Sequence, residues 1–292
     1  VSGRLGGGGR LWRRLGHHRL GDDRRSALSL SRLAQPRGSR LRPVVEAWLN
    51  SNPALRARST VFTIVLTLLT AGHTAYAFVI PPTVGFRDNE LARIIAWHLP
   101  SAWVASILIL AMGFFGAQGL FRPSPRTFAR LEAATELGVL FAAFALLTGI
   151  LFSRVQWGAF WQWDPRQTSF LFLFFLLCAA LALRAGFSDA EKRDMVSSAY
   201  AAGLTLPALF LIFVYPRLPQ VQSFHPKQGS FDTAYWTAIS AGLVVYGLWA
   251  NHFAARRIAL GLAARTTEPE GGPDDLDRPG GAADPVVRPV SL

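Results

Sequence analysis

Residues 157–185 read WGAFWQWDPRQTSFLFLFFLLCAALALRA. Three tryptophans, Trp157, Trp161 and Trp163, fall within seven residues, and Asp164 and Arg166 follow at once. The run from Phe170 to Ala185 is apolar and long enough to enter a bilayer. Aromatic faces beside fixed charge suit a flat amphipathic ligand with an apolar body and ionic edges. Tryptophans at the edge of a span also serve as interfacial anchors, so the strip alone leaves both readings open. Asp164-Pro165-Arg166-Gln167 is in addition a good helix start. Asp is a favoured N-cap, Pro suits the first helical position, and Gln at the third completes a capping box.

The same apolar density recurs along the chain. Of its 292 residues, 51% are hydrophobic and 16% charged. Six stretches, at about 60–80, 98–121, 133–152, 168–186, 195–215 and 235–255, approach the ~20 apolar residues that span a bilayer. The expected fold is all-α, a polytopic membrane bundle of six transmembrane helices. Gly113, Gly116 and Gly119 in the second stretch are spaced for close helix contact. Pro207 in the fifth predicts a kink. The single cysteine, Cys178, excludes disulfides, CxxC redox chemistry and thiolate metal clusters, and reads as a packing residue.

The net charge of +12 would point to nucleic acid in a soluble protein, but 13 of the 30 Lys and Arg lie in residues 1–59. No nucleic-acid partner is expected. Residues 1–58 read as a basic, disordered tail; its Arg-rich, acid-poor start is compatible with a transit peptide, a cytoplasmic arm or sequence upstream of a true start. Residues 59–258 form the membrane domain, with a tryptophan-rich external loop at 153–167. Residues 259–292, rich in Pro, Gly and Asp, read as a second disordered tail. Counted over alternate segments, Lys and Arg divide 24 against 6, which places both termini in the cytoplasm. The short loops divide evenly, and Arg56 and Arg58 before the first span decide the orientation.

On this topology three distant segments share the outer side: the tryptophan loop, His98 in WHLPSAW (97–103) and His225 in SFHPKQGS (223–230). Two neutral imidazoles can ligate haem iron from opposite faces, and indoles can cover a macrocycle. Arg154, Arg166, Arg217 and Lys227 are close enough in sequence to meet carboxylates of such a ligand. A lone interfacial histidine more often satisfies backbone amides, and spacing alone reaches only as far as an amphipathic ligand site. His73 and His252 lie at different depths by helical rise and cannot grip one iron. His17 and His18 belong to the tail.

WGAFWQWDPRQTS, WHLPSAW and the His225 loop, in that order, resemble the tryptophan-rich (WWD) haem-handling membrane proteins of cytochrome c biogenesis. Over roughly residues 60–258 the chain is most similar to the cytochrome c maturation protein C (CcmC) branch. The resemblance implies a protein of the cytoplasmic (inner) membrane that holds haem b transiently on the external, periplasmic side. It would assign the strip to Trp157, Gly158, Trp161, Trp163 and Asp164, with Arg166 beside it and His98 and His225 as axial ligands. It also implies membrane lipid as surroundings, a periplasmic haem chaperone (CcmE-like) as recipient, and an ATP-binding-cassette release complex (CcmAB-like). Gln167 departs from the leucine expected in that branch and leans towards the cytochrome c haem lyase branch (CcsA, CcmF). That enzyme, and a haem-free transporter subunit whose tryptophans only anchor it, are the alternatives.

Overall fold

The structure is a computed structural model and describes residues 53–225 and 231–267, with side chains from Ser59. Most of both tails, with His17 and His18, and also Lys227, lie outside the described residues. Among the described residues there is no strand. Six helices carry the fold: α1 (Pro53–Val79), α2 (Ile95–Phe121), α3 (Pro125–Trp157), α4 (Pro165–Ala185), α5 (Ala190–Leu209) and α6 (Thr233–Thr267). All six are long and apolar enough to cross a membrane, and the protein is a multi-pass membrane protein.

The helices outrun the apolar stretches because polar side chains and caps extend them. Ser124 caps α3, its hydroxyl accepting from the Thr127 N–H at 3.1 Å with Pro125 at the first position. Gly158 ends α3 in the left-handed region, φ +88°. The loop between α3 and α4 is therefore 158–164, shorter than the 153–167 expected. A short 3₁₀ turn, Leu91–Ile94, leads into α2, and Asp88 Oδ1 accepts from the Leu91 N–H at 2.8 Å. His98 thus sits a turn inside the span instead of opening it. Two further boundaries are corrected. Residues 53–58 are helical, with Pro53 at a position that tolerates its missing N–H. Residues 259–267 continue α6, where Arg265 finds buried acidic partners. Pro207 is followed by a π-helical turn, Phe210–Val214, and a 3₁₀ turn, Tyr215–Arg217. The Arg217 guanidinium donates to the Ile212 and Phe213 carbonyls at 3.1 and 3.0 Å, satisfying groups that the irregular turn leaves free.

Helix α2 is central and packs against α3, α5 and α6. Ile109 and Met112 of α2 and Leu173 and Leu177 of α4 are fully buried. The α2–α5 crossing is closed by the glycine series: Gly113 meets Thr205, Gly119 meets Ser198, and Gly116 meets the α5 backbone. A Cβ at Gly116 would lie 2.8 Å from the Ala202 nitrogen and 2.9 Å from the Ser198 oxygen. Lipid tails match leucine in polarity, so this close packing, more than water exclusion, holds the pair. Gly116→Ala should cost about 1–3 kcal/mol by overpacking. Gly203→Ala, with nothing within 4 Å of its added methyl, should be neutral or stabilising. Thermal unfolding in detergent checks the contrast.

Helix α1 leans on α6 mainly through polar side chains: Thr63 with His252 Nε2 at 3.1 Å, Thr70 with the Trp249 indole N–H at 2.9 Å, and His73 Nε2 with the Ala238 carbonyl at 3.1 Å. His73 and His252 therefore occupy levels ten residues apart on α1, ~15 Å in depth. At the end of the bundle where α1 begins and α6 ends, a buried ionic cluster joins four helices. Glu132 (α3) and Asp194 (α5) each meet both Arg184 (α4) and Arg265 (α6). Arg257 bridges Glu136 at 2.6 Å and Glu132 at 3.5 Å. In sequence these residues lie near the ends of the apolar stretches or beyond them, and only the fold reveals them as partners.

Candidate functional site

The opposite end is built from the three loops that the sequence places together. Gln156 exchanges hydrogen bonds with the Asp88 backbone (2.7 and 3.1 Å), joining the first loop to α3. Asp164 joins the second loop to the third. Between them opens a cavity of about 430 Å³, within the size range of cofactor pockets. His98, His225, Trp157, Arg166 and Arg217 all line it. The apolar wall adds Trp103, Ile107, Leu110, Phe170, Phe213 and Leu243.

His98 is held from α3. Its Nδ1 lies 3.0 Å from the Ala145 carbonyl oxygen and 3.1 Å from Thr148 Oγ1. A carbonyl only accepts, so Nδ1 carries the proton and Nε2 keeps its lone pair. The ring fits because position 149 is glycine: a Cβ there would come 3.0 Å from His98 Cε1. His225 is arranged the same way by a different group. Its Nδ1–H donates to Asp164 Oδ1 at 2.7 Å, again leaving Nε2 as the basic nitrogen. The Trp157 ring stands edge-on to it, centroids 5.4 Å apart.

Asp164 is 1% exposed and accepts from two directions. Oδ1 caps α4 through the Arg166 and Gln167 N–H groups at 2.9 and 3.4 Å. Oδ2 takes the Ser223 hydroxyl at 2.8 Å and the Phe224 N–H at 2.6 Å. Burial works against its ionisation. The hydrogen bonds from His225, Ser223 and Phe224 overcome that and hold the carboxyl well below the usual carboxylate range. The capping box is only half formed. The Gln167 side chain turns away from the Asp164 N–H to accept from the Gln162 N–H at 3.2 Å and donate to the Phe160 carbonyl at 3.1 Å. It pins the inside of the tryptophan loop, a use that leucine could not serve.

The tryptophan strip divides. Trp157 faces the cavity, whereas Trp161 and Trp163 are not among the residues lining it. They meet each other edge to face at 6.1 Å. Trp163 is 77% exposed and adopts φ +54°, a conformation that costs a bulky residue strain. Gly158 acts as the helix terminator described above. Of the cations expected near the ligand, Arg166 and Arg217 line the cavity, and the buried Arg166 Nε has no hydrogen-bond partner. Arg154 instead donates to the Gly158 carbonyl and lies 5.5 Å over the Phe160 ring. Sequence reasoning gives Trp103, though part of WHLPSAW, no role of its own, and does not single out Thr148 and Gly149. The signal was present: Leu99, Trp103, Ser106 and Leu110 follow a helical spacing along one α2 face, and Thr148-Gly149 interrupts an apolar run.

The family model for CcmC, heme exporter protein C, matches residues 49–208, which hold His98 and the tryptophan loop and stop short of the His225 segment. A ccmC-like mitochondrial cytochrome c biosynthesis protein of Marchantia polymorpha is 38% identical over 96 residues, 33% of this chain and 42% of that protein. Heme exporter protein C of Bradyrhizobium diazoefficiens is 29% identical over 153 residues, 52% of this chain and 56% of the relative. Heme exporter protein C of Escherichia coli K12 is 33% identical over 104 residues, 36% of this chain and 42% of the relative. The chain thus spans about half the length of the relatives it matches. With more than half of its residues inside the family model, the chain belongs to the heme exporter protein C family.

Proposed function

We propose that this protein binds haem at the loop end of its bundle, between His98 and His225, and passes it on for cytochrome c biogenesis. One observation carries the reading: a single cavity holds two imidazoles, each with Nδ1–H engaged and Nε2 free. The other lining residues suit the same cargo. The wall is apolar, Trp157 supplies an aromatic face, and Arg166 and Arg217 supply cations for propionates. The unpartnered Arg166 Nε is a donor awaiting an acceptor. Trp163, exposed, and the half-buried Trp161 beside it form the outer part of the strip, open to the ligand's outer edge or to a recipient. The names of the relatives, heme exporter protein C and cytochrome c biosynthesis, support the same pathway.

In this proposal the haem is haem b, bound transiently, and the loop end faces outwards from the inner membrane. A periplasmic haem chaperone receives it and an ATP-binding-cassette complex assists release. No covalent chemistry is assigned to this chain. The purified protein loaded with haem should show a six-coordinate, bis-imidazole spectrum. His98→Ala and His225→Ala should each open one axial position. A parent spectrum retained by both variants would overturn the ligand assignment.

A further inference from the structure

Resting on that reading, we propose that the two histidines are unequal: His98 is the anchored ligand, His225 is the one that detaches, and Asp164 is the positioning residue for His225. His98 rides on α2, and its ring is wedged against Gly149 and bonded to the α3 backbone. Moving it means parting two tightly packed helices. His225 lies in a stretch, residues 218–225, with neither helix nor strand. Among the described residues, every hydrogen bond or ion pair from residues 221–225 to another loop or helix ends on the Asp164 carboxylate. Three donors, from Ser223, Phe224 and His225, share that one group.

A carboxylate on Nδ1–H fixes the tautomer and orientation of a ligating histidine and raises the basicity of its other nitrogen. The same carboxylate caps α4, so the tryptophan loop, the start of α4 and the His225 segment are tied at one point. A partner that shifts the tryptophan loop would loosen all three bonds to the His225 segment together. Detachment then needs no redox change. The Nε2 lone pair returns to the imidazole, and the open axial position takes a lone pair from the incoming donor while His98 keeps its hold.

The test uses haem-loaded full-length protein in detergent, reduced with dithionite and mixed with carbon monoxide. In a bis-histidine site, the rate of carbon monoxide binding reports how fast an axial ligand leaves. Asp164→Asn keeps an N-cap acceptor but weakens the grip on His225. It should speed binding about 10–100-fold, the scale of losses when an outer-shell partner of a metal ligand is removed. In the His225→Ala background the same substitution should change nothing, since its target is gone. An equal effect in both backgrounds, or none in the parent, would overturn the inequality. On haem-free protein, Asp164→Asn should also lower hydrogen-exchange protection of the Phe224 amide at least about tenfold, the weight of one ~1.4 kcal/mol bond; unchanged protection would overturn the positioning role. A parent that takes up no haem would sink the proposed function itself, a result distinct from either.

Discussion

Glu132→Ala should destabilise the bundle by about 3–5 kcal/mol, the cost of removing one partner from a buried charge cluster. Glu132 is 8% exposed, and its carboxylate is shared by Arg184, Arg265 and Arg257. Its loss leaves Arg184 and Arg265, themselves 16% and 14% exposed at the side chain, with Asp194 alone between them. Gly261 lies against the same carboxylate, where a Cβ would come 3.1 Å from Oε2. Glu136→Ala is the comparison: Glu136 is 38% exposed at the side chain and, among the described residues, its carboxylate bonds only Arg257. It should cost less than about 1 kcal/mol, as exposed pairs do. Thermal unfolding of the detergent-solubilised variants measures both. Equal, mild effects would remove the cluster from any account of stability.

Asp164→Ala should be comparably damaging at neutral pH and progressively less so in acid. The substitution removes an N-cap, worth about 0.5–2 kcal/mol. It also strips the part-buried Ser223, Phe224 and His225 donors of their acceptor, at about 0.5–1.5 kcal/mol for each bond lost. The carboxyl is held below its ordinary value, so its contribution is complete above about pH 4 and is lost as the pH falls further. The stability gap between parent and Asp164→Ala should therefore be flat from pH 7 to about pH 5 and narrow below pH 4. A gap that widens in acid would mean that the carboxyl is protonated in the folded state.

Hydropathy made the six spans legible because a helix in lipid must be apolar for about 20 residues whatever it packs against. The same rule hid their true ends. Glu132, Arg184, Asp194 and Arg265 look in one dimension like unrelated charges at or beyond the span ends, and their pairing across four helices is a property of the bundle. The site was half readable. His98, His225 and the tryptophan loop were placed on one side by topology, and Asp164 was recognised as a cap from local chemistry. That Asp164 also holds the His225 segment, 59 to 61 residues away in sequence, required the fold. The division of the tryptophans followed from Gly158, whose left-handed turn sends the chain away from the face that Trp157 lines.

The lengths of the helices set the depth of everything attached to them. Helix α3 has 33 residues, ~50 Å of rise, against a hydrocarbon layer of ~30 Å. From Glu136, the innermost acid of the ionic cluster, to Ser153, whose hydroxyl bonds the Ala159 carbonyl, there are 17 residues, ~25 Å. The two polar layers are thus about one hydrocarbon thickness apart, a spacing that would let each meet a headgroup boundary. Thr148, which marks the level of His98, lies five residues or ~8 Å inside Ser153. With Ser153 at such a boundary, His98 would lie beneath it, in the acyl region, and His225 and Asp164 nearer the headgroups. A flat ligand gripped by both, as proposed above, would stand partly in water and partly in lipid.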